Sequence, residues 1–267
     1  MKSPPCVLTI AGSDSGAGAG LQADSRTIHA LGGYALTAIT AVTAQNSRTV
    51  TAWLPVSPYL LSAQIAAVAE DFSVRAIKTG LLPGTAAVRA AATALATLPD
   101  IPLVIDPVIG STSGTRFLSD SGVRALKKDL LPRATLVTPN WPEAALLTGL
   151  PVTTFAEAET AANHLLKTGC AAVLVKGGHA PGLLCRDILV TAYGRTRFFE
   201  SPRIATRNTH GTGCVLSAAI ATGLAHGQPL ATAITRAHEF LQRSLSAHRR
   251  IKLGAGAGPA FPGLHPR

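Results

Sequence analysis

Cys6-Val7-Leu8-Thr9-Ile10 runs straight into Ala11-Gly12-Ser13-Asp14-Ser15-Gly16-Ala17-Gly18-Ala19-Gly20. A short apolar run that breaks at a glycine-rich polar turn reads as a buried strand handing a loop to the carboxyl edge of a sheet. The same punctuation recurs at 36–42, 76–79, 103–105, 136–138 and 172–175, each closing at or near Gly, Pro, Asp or Asn. Longer amphipathic stretches separate these runs, the pattern of a mostly parallel sheet with helices on both faces. Ser57-Pro58 opens one helix through about 69, and Thr154 with Glu157 has capping-box spacing before another to 166. Helices are also predicted over 85–98, 120–131, 212–225 and 229–248, and an antiparallel hairpin over 189–191 and 196–200 near a sheet edge.

With 267 residues, no internal repeat and no low-complexity linker, the chain is expected to be a single domain over 1–267, ending in a loop-like tail at 254–267. That tail is open to being mobile or to folding over a ligand. Apolar residues make up 47% and charged ones 14%, which excludes extensive disorder. At 4% aromatic residues, base stacking on RNA is disfavoured. The net charge of +10 is spread along the chain, its densest patch, Arg243 with His248-Arg249-Arg250 and Lys252, falling at the end of the last helical pattern. The expectation is therefore no nucleic-acid partner, although a basic bias suits anionic nucleotides. Cys6, Cys170, Cys185 and Cys214 form no CxxC pair, so neither a zinc site nor a disulfide framework is indicated. No stretch has a membrane span's apolar length and the N-terminus is unlike a signal peptide, so a cytoplasmic protein without a membrane partner is expected.

Ligands of open α/β sheets bind beyond the strand carboxyl ends, where this sequence is polar and glycine-rich. Gly18 to Ala23 formally fits G-x-G-x-x-A, but the next carboxylate after Asp24 is Glu70, too far for a dinucleotide ribose. The glycines instead let backbone amides approach a ligand at a helix start, or form a structural turn. Asp106 and Glu143 follow neighbouring strands and could hold Mg²⁺ beside nucleotide phosphates. Alternatively, Asp106 caps a turn and Asn140 pairs with Glu143 in a capping box. Lys176-Gly177-Gly178-His179 puts an ammonium at a glycine turn, near a phosphate or simply in solvent. Most telling is Asn208-Thr209-His210-Gly211-Thr212-Gly213-Cys214 before an apolar helical run: the amides of Gly211, Thr212, Gly213 and Cys214 would form an anion hole. The helix dipole would there lower the Cys214 thiol pKa, unless the cysteine is buried and inert. No Walker A sequence is present.

Taken together, Thr9 to Gly16, Gln22-Ala23-Asp24, Thr43-Ala44-Gln45-Asn46, Lys78-Thr79-Gly80-Leu81-Leu82, Asp106-Pro107-Val108, Thr138-Pro139-Asn140, Pro142-Glu143, Val175 to His179 and Asn208 to Cys214 closely resemble the hydroxymethylpyrimidine/phosphomethylpyrimidine kinases of thiamine biosynthesis, a branch of the ribokinase-like superfamily. The resemblance spans nearly the whole chain. It implies a three-layer α/β/α sandwich and a homodimer that uses ATP and Mg²⁺ to phosphorylate 4-amino-5-hydroxymethyl-2-methylpyrimidine and then its monophosphate. Gly12, Asp24, Gln45, Leu81, Val108 and Cys214 would line the pyrimidine pocket, with Asp24 and Gln45 bonding the ring nitrogens and amine. Asn140, Glu143, Lys176, Thr209, Gly211 and Gly213 would serve the nucleotide, and Asp106 and Glu143 the metal. Gly211, Thr212 and Gly213 would stabilise the transferring phosphoryl group, Lys176 would neutralise its charge, and Cys214 would be the base. Pyridoxal kinase activity and an inactive ligand-sensing relative are the alternatives, with Gln45 favouring the pyrimidine. Departures from the family pattern are Ala17 for glycine, Leu81 for Met, a flap at 109–116 without its usual Lys and Asp, and a tail without a His-rich ending.

Overall fold

The computed structural model describes residues 3–110, 114–178, 180, 182–261 and 263; His179, the flap's 111–113 and the tail's 262 and 264–267 lie outside the described residues. In chain order the elements are β1 (Cys6–Ser13), α1 (Gly20–Ala30), β2 (Tyr34–Gln45), β3 (Val50–Pro55), α2 (Pro58–Asp71), β4 (Val74–Thr79), α3 (Gly84–Leu95), β5 (Leu103–Ile105), α4 (Asp120–Ala125), β6 (Leu136–Val137), α5 (Trp141–Thr148), α6 (Phe155–Leu166), β7 (Ala172–Val175), β8 (Leu184–Thr191), β9 (Thr196–Pro202), α7 (Thr212–Ala225) and α8 (Leu230–His248). The strands form one nine-stranded sheet of order β3-β2-β1-β4-β5-β6-β7-β8-β9. β2, β1, β4, β5, β6 and β7 run parallel, and β3, β8 and β9 add antiparallel edges. β2 and β4 flank β1 on opposite sides, which opens a crevice above its carboxyl end, where α/β proteins bind ligands.

Period-two alternation builds the layers. Val7, Ala76, Val104, Leu136 and Leu174 face α1, α7 and α8, whereas Leu8, Ile77, Leu103, Ile105, Val137 and Val173 face the helices from α2 to α6. Both faces are covered, which is why the strands read as continuous apolar runs. This is the expected three-layer sandwich.

The predicted caps are present. Ser57 Oγ accepts from the Leu60 amide at 3.2 Å ahead of Pro58, and Thr154 and Glu157 close a capping box at α6. The hairpin is longer than expected, spanning β8 and β9. The helical stretch expected over 120–131 is α-helical only to Ala125 and continues as a π turn over Leu126–Leu130 and a 3-10 turn over Leu131–Arg133, where Pro132 has no amide hydrogen to extend the ladder. Among the described residues no helix is long and apolar enough to cross a membrane.

Candidate active site

The loop after β1 is organised around its own aspartate. Buried Asp14 accepts from the amides of Gly16 (2.8 Å), Gly18 (3.1 Å) and Ala19 (2.9 Å), and from His210 Nε2 at 2.9 Å. Burial alone would raise its carboxyl pKa, but the His210 bond and these amides overcome that and hold it below the ordinary value. Of the two readings of this loop, the structural turn holds for these three amides, which Asp14 takes. Ala17, at φ 57°, is the lone non-glycine with left-handed backbone among the described residues. The loop packs on the start of α7 with no room for side chains. A Cβ at Gly18 would lie 2.2 Å from His210 Cδ2, and one at Gly211 (φ 80°) 2.1 Å from the Gly18 carbonyl.

Beneath this loop lies a buried ion pair. Asp24, on α1, accepts from Thr9 Oγ1 at 2.6 Å and from Lys78 Nζ at 2.7 Å, with both charged side chains fully enclosed. Burial pushes the Asp24 carboxyl up against the opposing charge of Lys78. Burial disfavours the Lys78 ammonium, yet the fields of Asp24, Cys214 and Asp106 keep it above the usual lysine range. Asp24 Oδ2 is therefore committed to the protein, and Oδ1 has no partner among the described residues.

On the other side of Cys214, Asp106 is 2% exposed; its Oδ1 accepts from Lys176 Nζ at 2.8 Å and Thr138 Oγ1 at 3.3 Å, and its Oδ2 takes a long 3.5 Å contact from Ser217 Oγ. Burial would raise this carboxyl, but Lys176 and Lys78 lower it. A Cβ at Gly213 would stand 3.1 Å from Lys176 Nζ and 3.3 Å from Asp106 Oδ2, so the ammonium, the carboxylate and the first turn of α7 meet at one point. Lys176 is pinned rather than solvated: its amide donates to Pro139 O at 2.8 Å, and the Gly177 amide donates to Asp187 Oδ1 at 2.8 Å. Asn140 and Glu143 do form the capping box of α5, with reciprocal bonds of 2.7 and 2.8 Å. Burial, helped by Asp106 and opposed by Lys176, pushes the Glu143 carboxyl up to about 7.

At the start of α7 the Thr212 amide donates to Thr209 O at 3.3 Å, so this member of the expected anion hole is already engaged. The Cys214 thiol corrects a second expectation. Burial pushes it up to about 11, with Lys78 lowering it and Asp24 and Asp106 raising it. A helix-start dipole supplies only about 0.3–1 kcal/mol, and burial beside two carboxylates outweighs it.

Gln45 ends β2 with its Nε2 placed 3.4 Å from His210 Nε2. Leu81, half-buried Val108, Ala41 and Phe117 make an apolar wall. Gly12 leaves room for it, since a Cβ there would sit 2.9 Å from Leu81 Cδ2. The described tail folds over the α7 loop: His210 N donates to Gly258 O (3.0 Å), Ala260 N to His210 O (2.8 Å) and Gly256 N to Ser47 Oγ (2.9 Å). Asn208, buried under it, donates to His248 O at 2.7 Å and Ile251 O at 2.9 Å. Gly110 and Arg116, which flank the flap's undescribed residues, form an antiparallel bridge.

Of the expected residues, Gly12, Leu81 and Val108 share the apolar wall, Gln45 reaches His210, Asp106, Lys176 and Gly213 meet at the start of α7, Asn140 and Glu143 cap α5, and Cys214 feels the charges of Lys78, Asp24 and Asp106. Lys78, Asp14, His210 and Ser217 join the site without a role that the sequence predicts. A lysine inside a run read as a buried strand was a signal for the first, because an enclosed ammonium demands an anionic partner.

Comparison with known proteins agrees with this architecture. A family model described as phosphomethylpyrimidine kinase matches residues 14–261. The hydroxymethylpyrimidine/phosphomethylpyrimidine kinase of Rhizobium meliloti is 47% identical over 253 residues, 94% of each chain. An ADP complex of Bacillus subtilis pyridoxal kinase superposes with a TM-score of 0.88 at 31% identity, covering 98% of this chain and 100% of that one. A phosphomethylpyrimidine kinase from Clostridium difficile gives 0.80 at 34% identity, covering 90% and 99%. With 248 consecutive positions answering to one family model and a 47% identical relative matched over 94% of each chain, the chain belongs to the phosphomethylpyrimidine kinase family.

Proposed function

We propose that this chain, acting as a single catalytic domain, transfers the γ-phosphoryl group of ATP to the hydroxymethyl oxygen of 4-amino-5-hydroxymethyl-2-methylpyrimidine and then to the phosphate of that product. The observation that carries the reading is the meeting of Lys176, Asp106 and Gly213 at the start of α7, next to Cys214. Phosphoryl transfer needs positioning and charge neutralisation more than covalent chemistry, and this point offers both. The substrate oxygen forms a bond to phosphorus, the bridging oxygen leaves with ADP, and the hydroxyl proton goes to a base.

Lys176 neutralises phosphate charge, and Gly211, Thr212 and Gly213 supply the glycine-lined turn against which the transferring group rests. Asn140 and Thr209 flank the nucleotide. Asp106 and Glu143 would hold Mg²⁺, which supplies further positive charge on the phosphates. Their chemistry fits: Asp106 Oδ2 carries one long contact, and Glu143 is raised to about 7 by burial and a neighbouring carboxylate, so both want a cation. Among the described residues no group of three His, Cys, Asp or Glu side chains could form an all-protein cage, consistent with an ion shared with phosphates.

Cys214 is the base by family resemblance. Its resting thiol keeps its proton at neutral pH, so the role is tested directly by Cys214→Ala: turnover should vanish while nucleotide affinity survives, and unchanged turnover would remove Cys214 from the mechanism. Gly12, Gln45, Leu81 and Val108 would hold the ring, with Asp24 reaching it through Oδ1 alone. Side-by-side turnover on the pyrimidine, its monophosphate and pyridoxal tests the substrate; activity on pyridoxal and neither pyrimidine would favour the second reading, to which the similarity to pyridoxal kinase structures points.

We place the enzyme in the cytoplasm as a homodimer. Val42 and Leu54, direct cross-strand partners that are 52% and 72% exposed, continue into exposed Tyr59 and Leu60, an apolar edge suited to a second copy.

A further inference from the structure

From the donors and acceptors around His210 we infer that Asp14 and His210 are positioning residues that lock the amide of Gln45 with its oxygen toward His210, and so set which ring edge the pocket accepts. The inference rests on Gln45 facing the pyrimidine.

Asp14 has three amide N–H groups on its two oxygens, so it is an acceptor, and the imidazole nitrogen 2.9 Å from Oδ2 must carry hydrogen. This holds for the neutral Nε2–H tautomer and for imidazolium alike. As placed, Gln45 Nε2 faces that same nitrogen at 3.4 Å, donor against donor. Its Oε1 lies 3.4 Å from Thr43 Oγ1, whose hydrogen is already directed to Ser13 O at 2.9 Å. Amide oxygen and nitrogen are assigned from such networks, not from shape. A half-turn of the amide removes that clash: Oε1 then shares the His210 Nε2–H with Asp14 Oδ2 in a three-centre bond, and Nε2 donates to the Thr43 oxygen. The amide then has one N–H and one oxygen lone pair left for a ligand. That edge matches a ring nitrogen beside an exocyclic amine, and it mismatches a ring carrying a carbonyl and N–H at those positions. The His210 ring cannot swing away, because Gly18 packs against its edge and its backbone is tied to Gly258 and Ala260.

The test compares KM and kcat of wild type, His210→Met, His210→Gln and Gln45→Ala on the aminopyrimidine and on its 4-oxo analogue. His210→Met should raise KM for the amine roughly tenfold, with kcat little changed, and erode its preference over the oxo compound by a similar factor. His210→Gln, which places an N–H at the same reach, should recover most of both. Preference and KM within twofold of wild type in His210→Met, with both lost in Gln45→Ala, would overturn the inference and leave the pocket assignment standing. Unchanged KM in Gln45→Ala would overturn both. Independently of any variant, ¹⁵N spectra of the imidazole should show hydrogen on Nε2; a bare Nε2 would overturn the inference.

Discussion

Replacing Lys78 by methionine should destabilise the protein by an amount that depends on pH in a calculable way. Lys78 Nζ lies 2.7 Å from Asp24 Oδ2, both side chains are fully buried, and Thr9 is the other donor on that oxygen. Breaking a buried pair by removing one partner costs about 3–5 kcal/mol, because the other charge is left in low dielectric. Asp24 has an escape: it can take up a proton. From an unfolded carboxyl pKa of about 3.9, that costs about 5 kcal/mol at pH 7.5 and about 2 kcal/mol at pH 5.5, which caps the penalty at each pH. A carboxyl whose folded pKa is raised costs nothing below its unfolded value and costs progressively more as pH rises towards its folded value. The deficit of Lys78→Met should therefore shrink on acidification. Urea denaturation of wild type, Lys78→Met and Lys78→Met with Asp24→Asn at the two pH values measures it, and the double variant should recover most of the loss at pH 7.5. A deficit under about 1 kcal/mol at pH 7.5, or one that fails to shrink at pH 5.5, would refute the reasoning.

Gly211→Ala must put a methyl 2.1 Å from the Gly18 carbonyl at φ 80°, so kcat/KM should fall at least about 100-fold, whereas Gly227→Ala, equally left-handed but with open space around it, should change activity less than about twofold. Alkylation of Cys214 by iodoacetamide, followed on its own peptide, should keep accelerating beyond pH 9 in line with a thiol of about 11; a plateau below pH 8.5 would contradict its burial among carboxylates. Glu143→Gln preserves an acceptor for the Asn140 amide while removing a charge whose folded carboxyl sits near 7, so without Mg²⁺ it should be more stable than wild type at pH 8, the gain fading as pH falls to 5. Urea midpoints check this, and an equal or larger gain at pH 5 would contradict it.

What could be read along the chain follows from where side chains are buried. The strands at 103–105 and 172–175 match to the residue because both faces are covered and a charged residue, Asp106 or Lys176, ends each run. β3 escaped notice because it has no buried face: five of its six residues are exposed, Trp53 and Leu54 among them, so no alternation marks it. α1 was legible only as a helix start after the glycine loop, its extent unmarked because it opens at glycine without a side-chain cap and carries polar Gln22, Asp24, Arg26 and His29 among its few apolar positions. In the site, strand-end residues were legible because an open α/β sheet projects them to one edge, but the pairing of Lys78 with Asp24 and of Asp14 with His210 is made by tertiary folding across 54 and 196 positions. The Cys214 pKa went the wrong way for the same reason, since the dipole is local and the burial is not.

The products that leave the active site give the most direct test of the two-step phosphoryl transfer. Purified protein with MgATP and 4-amino-5-hydroxymethyl-2-methylpyrimidine, sampled over time by mass spectrometry, should show the monophosphate rising first and the diphosphate following as it is consumed, and both should disappear in Cys214→Ala. ATP breakdown with neither pyrimidine product would contradict it.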